Sequence, residues 1–229
     1  MICSHIATLF LLTKSDFKTV VVPQATFALA AARSVCGSPQ HCLLGPQNLV
    51  VRMLSVVAWL WIHLLVENLA NQRLPASIIE DMINKPWRPI PAGRLTPAEA
   101  QVWLQVAVLL ALLFSVCNDS LAPSTTLMTM IWLYNDPDGS SRGPCQRNAL
   151  NAVGLGCFGW GGASVLLGFC IDKDSLAKWT LLTGLVVATT VHVQDFPDII
   201  GDEARKRKTV PLIYGETLGR WSVAVLAPA

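Results

Sequence analysis

The chain has 229 residues, 52% of them hydrophobic and only 14% charged, against about 25% charged residues in an ordinary soluble domain. That is more apolar surface than one soluble core buries, and with a mean hydropathy of +0.48 it predicts a membrane protein that crosses the bilayer several times. A formal charge of only +2, without interleaved basic and aromatic residues, argues against a nucleic-acid partner.

In chain order, Met1 to Leu12 is apolar but has neither a basic leader nor a small-residue cleavage site, so it reads as the lead into a first membrane helix. Apolar windows follow at about 18–33, 50–67, 101–117, 121–134, 148–170 and 176–193, and a seventh opens near Leu212. A backbone in lipid must satisfy its own hydrogen bonds, which leaves helices; the alternation of a membrane barrel is absent. The expected fold is all-α, a single membrane domain over residues 1–229 with about six to seven helices. If the six windows cross, the N-terminus and the segments 68–100, 135–147 and 194–211 share one side. That side carries twelve Lys and Arg, and the other carries four. The asymmetry predicts a cytosolic position for these segments, in an endomembrane.

Seven cysteines form no CxxC pair and the four histidines show no ligand spacing, so neither a disulfide framework nor zinc is expected. Trp59, Trp61, Trp103, Trp132, Trp160 and Trp179 fit interface anchors or packing groups. Gly154, Gly156, Gly159, Gly161, Gly162 and Gly168 crowd one window, where close helix packing is the expected use.

Two polar segments carry the chemistry. Asp195, Asp198 and Asp202 stand at i, i+3 and i+7, which on one helix puts them on one face. Each costs roughly 2.5–3.5 kcal/mol at mid-membrane, so they belong at a rim or in a wet cavity that holds cations. Carboxylates that hold Mg2+ suit a ligand with phosphates. The earlier segment offers Glu67, Asn71, Ser77, Glu80 and Asp81 as oxygen donors, with Pro75 expected to end the preceding helix. Lys85, Arg88 and Arg94 follow on a proline-stiffened stretch suited to a phosphate clamp. The basic run Arg205 to Lys208 serves equally as a topogenic signal or as part of the site.

The stretch Asn84-Lys85-Pro86-Trp87-Arg88-Pro89-Ile90-Pro91-Ala92-Gly93-Arg94 resembles the signature after the first aspartate-rich motif of the UbiA superfamily. Asp195, Asp198 and Asp202, followed by Arg207-Lys208-Thr209-Val210-Pro211, resemble that superfamily's second motif. Tyr134-Asn135-Asp136 and Arg147-Asn148-Ala149-Leu150-Asn151-Ala152 are similar to a fungal branch. The resemblance covers about residues 10–225. It departs from the usual first motif at Ser77, Arg73 and Leu74, where aspartates or asparagine are customary.

The resemblance implies an intramembrane helical bundle of about nine helices, so this chain is expected to stop inside the seventh and to be incomplete at its C-terminal end. It implies Mg2+, an isoprenyl diphosphate and surrounding membrane lipid. The expected activity is a membrane prenyltransferase that passes the prenyl group to an aromatic or other small-molecule acceptor. The alternatives are a terpene cyclase of the same superfamily and an inactive truncated homologue. On this reading Asp81 with Glu80, and Asp195, Asp198 and Asp202, hold the metal. Asn71, Lys85, Arg88, Arg94 and Lys208 bind substrate, and Lys85, Arg88 and Lys208 assist the chemistry. Lys14 or Lys18 is expected to add positive charge.

Overall fold

A computed structural model describes residues 2–35, 46–168 and 172–226; Cys36, His41, Cys42 and Cys170 lie outside them. Among the described residues the fold is helical, without strands. Helices α1 (Ile2–Asp16) and α2 (Val22–Val35) are joined without a break by a π-helical turn, Phe17–Val21. The wider turn has a local cause. Pro23 lacks a backbone N–H and its ring crowds the carbonyl of Thr19, and Val22 N–H bonds back to Phe17 O instead.

Among the described residues four helices are long and apolar enough to cross a bilayer: α3 (Pro46–Gln72), α5 (Pro97–Cys117), α7 (Pro144–Leu167) and α8 (Lys173–Thr190), the last continued by a 3-10 turn to Asp195. Helix α3 ends at Gln72 shortly before Pro75, as the sequence predicts, and Pro75 opens the next helix, α4 (Pro75–Asn84), a position that suits it. The window at 121–134 becomes the 15-residue α6 (Leu121–Asn135). The window near Leu212 is not one span. It divides into α10 (Val210–Tyr214) and α11 (Glu216–Leu226), after the short α9 (Ile199–Ala204). The break falls at Gly215, whose φ of +85° is left-handed backbone that glycine adopts without steric cost.

The core gathers around α3. His63, fully buried, contacts Trp59 O through Nδ1 at 2.8 Å and Ser124 Oγ through Nε2 at 2.7 Å. A carbonyl only accepts, so Nδ1 carries the proton and Nε2 accepts from Ser124. Trp59 Nε1 donates to Ser115 Oγ at 2.8 Å. These bonds tie α3 to α5 and α6 through polar groups that would otherwise be stranded among apolar side chains. Helix α7 crosses α3 closely because of Gly161: a Cβ there would lie 2.0 Å from the Trp59 ring. Gly159 likewise meets Gln24 and Phe27 of α2 at 2.9–3.0 Å. Packing therefore accounts for these glycines as expected. Gly154 differs, because a Cβ there would meet nothing within 4 Å.

Candidate active site

At one end of the bundle the segments 73–96, 136–143 and 191–209 converge. Arg73 pairs with Asp136 at 2.6 Å, and Arg205 reaches Glu80 at 3.0 Å and Asp138 at 3.4 Å. Asn84 fastens two of the segments together: its Nδ2 donates to Asp198 O at 3.0 Å and its Oδ1 accepts from Gly201 N at 3.2 Å. Gly201 permits this approach, since a Cβ there would sit 2.2 Å from the Asn84 amide. The sequence-predicted grouping of these segments on one side thus holds in space.

They cover a cavity of about 620 Å³. Its depth is apolar, lined by Val20, Leu64, Leu127, Met130, Ile131, Leu150, Leu155 and Phe158. Its rim is ionic. Lys85, Arg88, Arg147 and Arg207 face it, together with Asp16, Glu67, Glu80 and Asp198. Polarity is graded along each long helix. On α3, Asn71 and Glu67 stand at the rim and Leu64 lies below. On α6, Tyr134 and Asn135 stand above Leu127, and on α7, Arg147 stands above Phe158.

Each rim cation is held by a carboxylate. Arg88 donates to both oxygens of Asp81 (2.8 and 3.0 Å) and to Asp16 at 3.2 Å. Lys85 Nζ lies 2.9 Å from Asp198 Oδ2. Arg147 donates from Nε and Nη2 to Asp195 Oδ1, at 3.2 and 2.7 Å, and from Nη1 to the Tyr134 hydroxyl, with the guanidinium 5.6 Å from that ring's centre. Arg207 joins Glu80 at 2.9 Å to Asp202 at 3.0 Å. Burial pushes the Asp81 and Asp202 carboxyls up, the latter to about 6, although Arg88 in one case and Arg147 with Arg207 in the other pull back. Burial acts on Glu80 in the same sense, but Arg207 and Arg205 outweigh it and leave that carboxyl below its ordinary value.

The three aspartates of the second motif do not share one helical face. Asp195 closes a 3-10 turn, Asp198 caps α9 and Asp202 lies inside α9. Pro197, which cannot donate to a helix, stands between them. They reach three different cations instead of one common point. Asp81, Asp195 and Asp202 stand behind the arginines and do not line the cavity, whereas Glu80, Asp198, Asn71, Lys85 and Arg88 do. Arg94 is exposed and outside the lining. Its backbone N–H bonds to Pro89 O at 2.8 Å while Gly93, at φ +69°, bonds to Ile90 O; that pattern is a helix-ending turn, which accounts for Pro-Ile-Pro-Ala-Gly-Arg as a local fold. Lys208 is exposed while its neighbour Arg207 is buried. Lys14 and Lys18 also point away, and the first helix presents Asp16 and Thr19. Ser77, the departure from the usual motif, accepts from Arg205 at 2.7 Å.

Sequence reasoning left Arg207 within an undecided basic run, gave Arg147 and Asn135 no site role although it quoted them in motifs, and missed Asp16 altogether. Asn135 Oδ1 accepts from Asn71 at 2.8 Å. The signal available for Arg147 was an arginine at the head of an apolar helix, where a charge requires a partner.

Among the described residues no three His, Cys, Asp or Glu side chains gather into a preformed metal centre. The site nevertheless fits a divalent cation. Asp195 Oδ2 and Asp202 Oδ2 are buried without a hydrogen-bond partner. Counting the second row, seven carboxylates (16, 67, 80, 81, 195, 198, 202) meet five cations (85, 88, 147, 205, 207). Over this set the wall carries a formal excess of two negative charges.

A polar, charge-dense rim stands above an apolar cavity within membrane-length helices, the arrangement of a helical membrane protein with an amphipathic site. The chain belongs to the UbiA prenyltransferase family, which it matches over residues 21–229. It is 33% identical to the fumagillin beta-trans-bergamotene synthase of Aspergillus fumigatus over 99% of this chain and 73% of that protein. It is 30% identical to a polyprenyl transferase of Hericium erinaceus over 93% of this chain and 70% of that protein. A solved UbiA homologue from Archaeoglobus fulgidus, described as bound to GPP and Mg2+, shares the fold at 15% identity, with a TM-score of 0.65 over 96% of this chain and 73% of that one. The chain is therefore a UbiA-type enzyme, a prenyltransferase or a terpene cyclase.

Proposed function

We propose that this enzyme ionises an isoprenyl diphosphate with Mg2+ and that the resulting allylic cation closes on its own chain, as in a terpene cyclase. The observation that carries the reading is the single cavity in which four carboxylate-braced cations stand above an apolar depth. Lys85, Arg88, Arg147 and Arg207 bind the diphosphate oxygens, the arginines as planar forks. Their own carboxylates hold them in place, so little reorganisation accompanies the growth of charge on the leaving group. Asp81 and Glu80, whose oxygens are all engaged by arginines, act as braces. Asp198, Asp16 and Glu67 at the rim would hold Mg2+, backed by the unpartnered oxygens of Asp195 and Asp202. The bound ion supplies Lewis-acid stabilisation of the departing diphosphate. The apolar depth excludes water from the cation, and the ring of Phe158, which lines that depth, offers it a π-surface.

Likeness to the bergamotene synthase along nearly the whole chain favours internal capture. The Hericium polyprenyl transferase favours a second reading, transfer to an aromatic or other small acceptor. On either reading the rim faces the cytosol of an endomembrane, in line with the charge asymmetry of the loops. The test is incubation of the purified protein with farnesyl and geranylgeranyl diphosphates and Mg2+. A cyclic hydrocarbon formed without acceptor is the expected result. Turnover only after an acceptor is added selects the second reading, and no diphosphate release under either condition rejects both.

A further inference from the structure

Gly154 is the glycine of α7 that helix packing does not explain. A Cβ at position 156 would touch Thr180 at 3.5 Å, at 159 it would press on Gln24 and Phe27, at 161 it would enter the Trp59 ring, and at 162 it would meet Ala28, Leu60 and Val56 at 3.7 Å. At 154 it would meet nothing within 4 Å, and this residue lines the cavity. A mid-helix glycine costs backbone entropy relative to alanine, and here no contact requires it. What the missing side chain leaves is room.

Its level in the helix gives that room a meaning. Gly154 lies seven residues beyond Arg147, about 10 Å along the axis, and Phe158 lies about 6 Å further. Leu150 and Leu155 flank it on the lining face. A tail that starts at a diphosphate on Arg147 passes Gly154 before it reaches the floor at Phe158, whose ring packs edge-on against Trp59 at 6.5 Å between centroids.

We infer that Gly154 sets the prenyl chain length that the enzyme accepts: the absent side chain opens the lower half of the cavity to the distal isoprene units of a long chain. The inference rests on the proposed binding of an isoprenyl diphosphate, and its test separates the two. Non-ionisable thiolodiphosphates carrying dimethylallyl, farnesyl and geranylgeranyl chains are titrated, with Mg2+, against wild type, Gly154→Val, Gly154→Phe and Val153→Phe, and affinity is read from the shift in melting temperature. Val153 is next in sequence and 46% exposed, so its variant adds the same ring on the outer face.

Gly154→Phe is expected to weaken the geranylgeranyl and farnesyl compounds by about tenfold or more, through loss of buried methylene area, and to leave the dimethylallyl compound within about twofold. Gly154→Val lies between, and Val153→Phe matches wild type. If Gly154→Phe does not fold, the graded loss in Gly154→Val alone decides. Equal weakening of all three ligands, or of none, overturns the inference while substrate binding stands. Failure of wild type to bind any of them overturns both.

Discussion

The basic residues proposed to bind substrate are picked out by facing the cavity, not by place in a motif. Lys208 and Arg94 stand in recognised positions and point outward, whereas Arg147 and Arg207 are 5% and 6% exposed and line the cavity. Arg147→Ala removes a cation from the substrate side and leaves Asp195 buried and unpaired, a loss of about 3–5 kcal/mol for a broken buried pair. Arg147→Lys retains charge but not the fork. Diphosphate release is expected to fall at least about a hundredfold in Arg147→Ala and less in Arg147→Lys, while Lys208→Ala and Arg94→Ala stay near wild type. Equal losses in all four variants would contradict the assignment. A second residue-scale consequence concerns Asp202, whose carboxyl is pushed up to about 6. Because the unfolded value is near 3.9, the folded state binds the proton more tightly. Asp202 therefore makes stability fall as pH rises through 4 to 6 and contributes no slope above that. The full effect is on the order of 2–3 kcal/mol. Melting curves in a metal chelator are expected to show this decline for wild type, and Asp202→Asn, which cannot ionise, should lack it.

At the scale of elements, the basic turn after α9 shows how two side chains come to point inward. Arg207 N bonds to Asp202 O and Lys206 N to Glu203 O, both at 2.9 Å, and Lys206 has φ +60°. This is a helix-ending motif whose left-handed position favours glycine. Lys206→Gly keeps the turn and removes a steric cost of roughly 1 kcal/mol, so a higher melting temperature with unchanged turnover is expected. Gly161→Ala tests the opposite balance. Helix propensity alone favours alanine by about 1 kcal/mol, but a Cβ 2.0 Å from Trp59 adds overpacking of about 1–3 kcal/mol. A lower melting temperature is expected, and an increase would mean that α3 and α7 separate easily.

These elements also mark how far the sequence could be read. Long apolar runs bounded by proline gave α3, α5, α7 and α8, because lipid allows helices and few alternatives. The end of α3 was legible through Pro75, but α4, with Ser77, Glu80 and Asp81 buried, lay in a segment read as a polar loop. The second motif was not legible, because spacing by itself assumes one continuous helix and Pro197 breaks it. Nor was Asp16, which reaches the rim next to a π-helical turn that hydrophobic periodicity does not reveal. Composition cannot tell a cavity-lining glycine from a packing one either; Gly154 and Gly161 separate only once the neighbouring helices are in place.

For the molecule as a whole, the decisive quantity is the charge of the rim. Seven carboxylates against five cations, four of each facing the cavity, leave no surplus positive charge with which to hold a bare diphosphate. Mg2+ alone would meet carboxylates most of which already pair with arginine or lysine. On the proposed function each ligand would remove the obstacle to the other, and the two binding free energies are expected to be coupled. The effect is measurable in the stability of the whole bundle, because the rim residues come from segments between different helices and a ligand shared among them binds only the folded arrangement. Such a ligand at a hundred times its dissociation constant stabilises by about 2.7 kcal/mol. The expected result is a large rise in melting temperature with Mg2+ and inorganic diphosphate together, and small shifts with either alone. Asp198→Asn, which weakens the hold on Lys85 and removes a rim oxygen, should reduce the joint effect more than either separate one. Additive shifts from the two ligands would show that they occupy independent sites, and the common rim would then not be where metal and diphosphate meet.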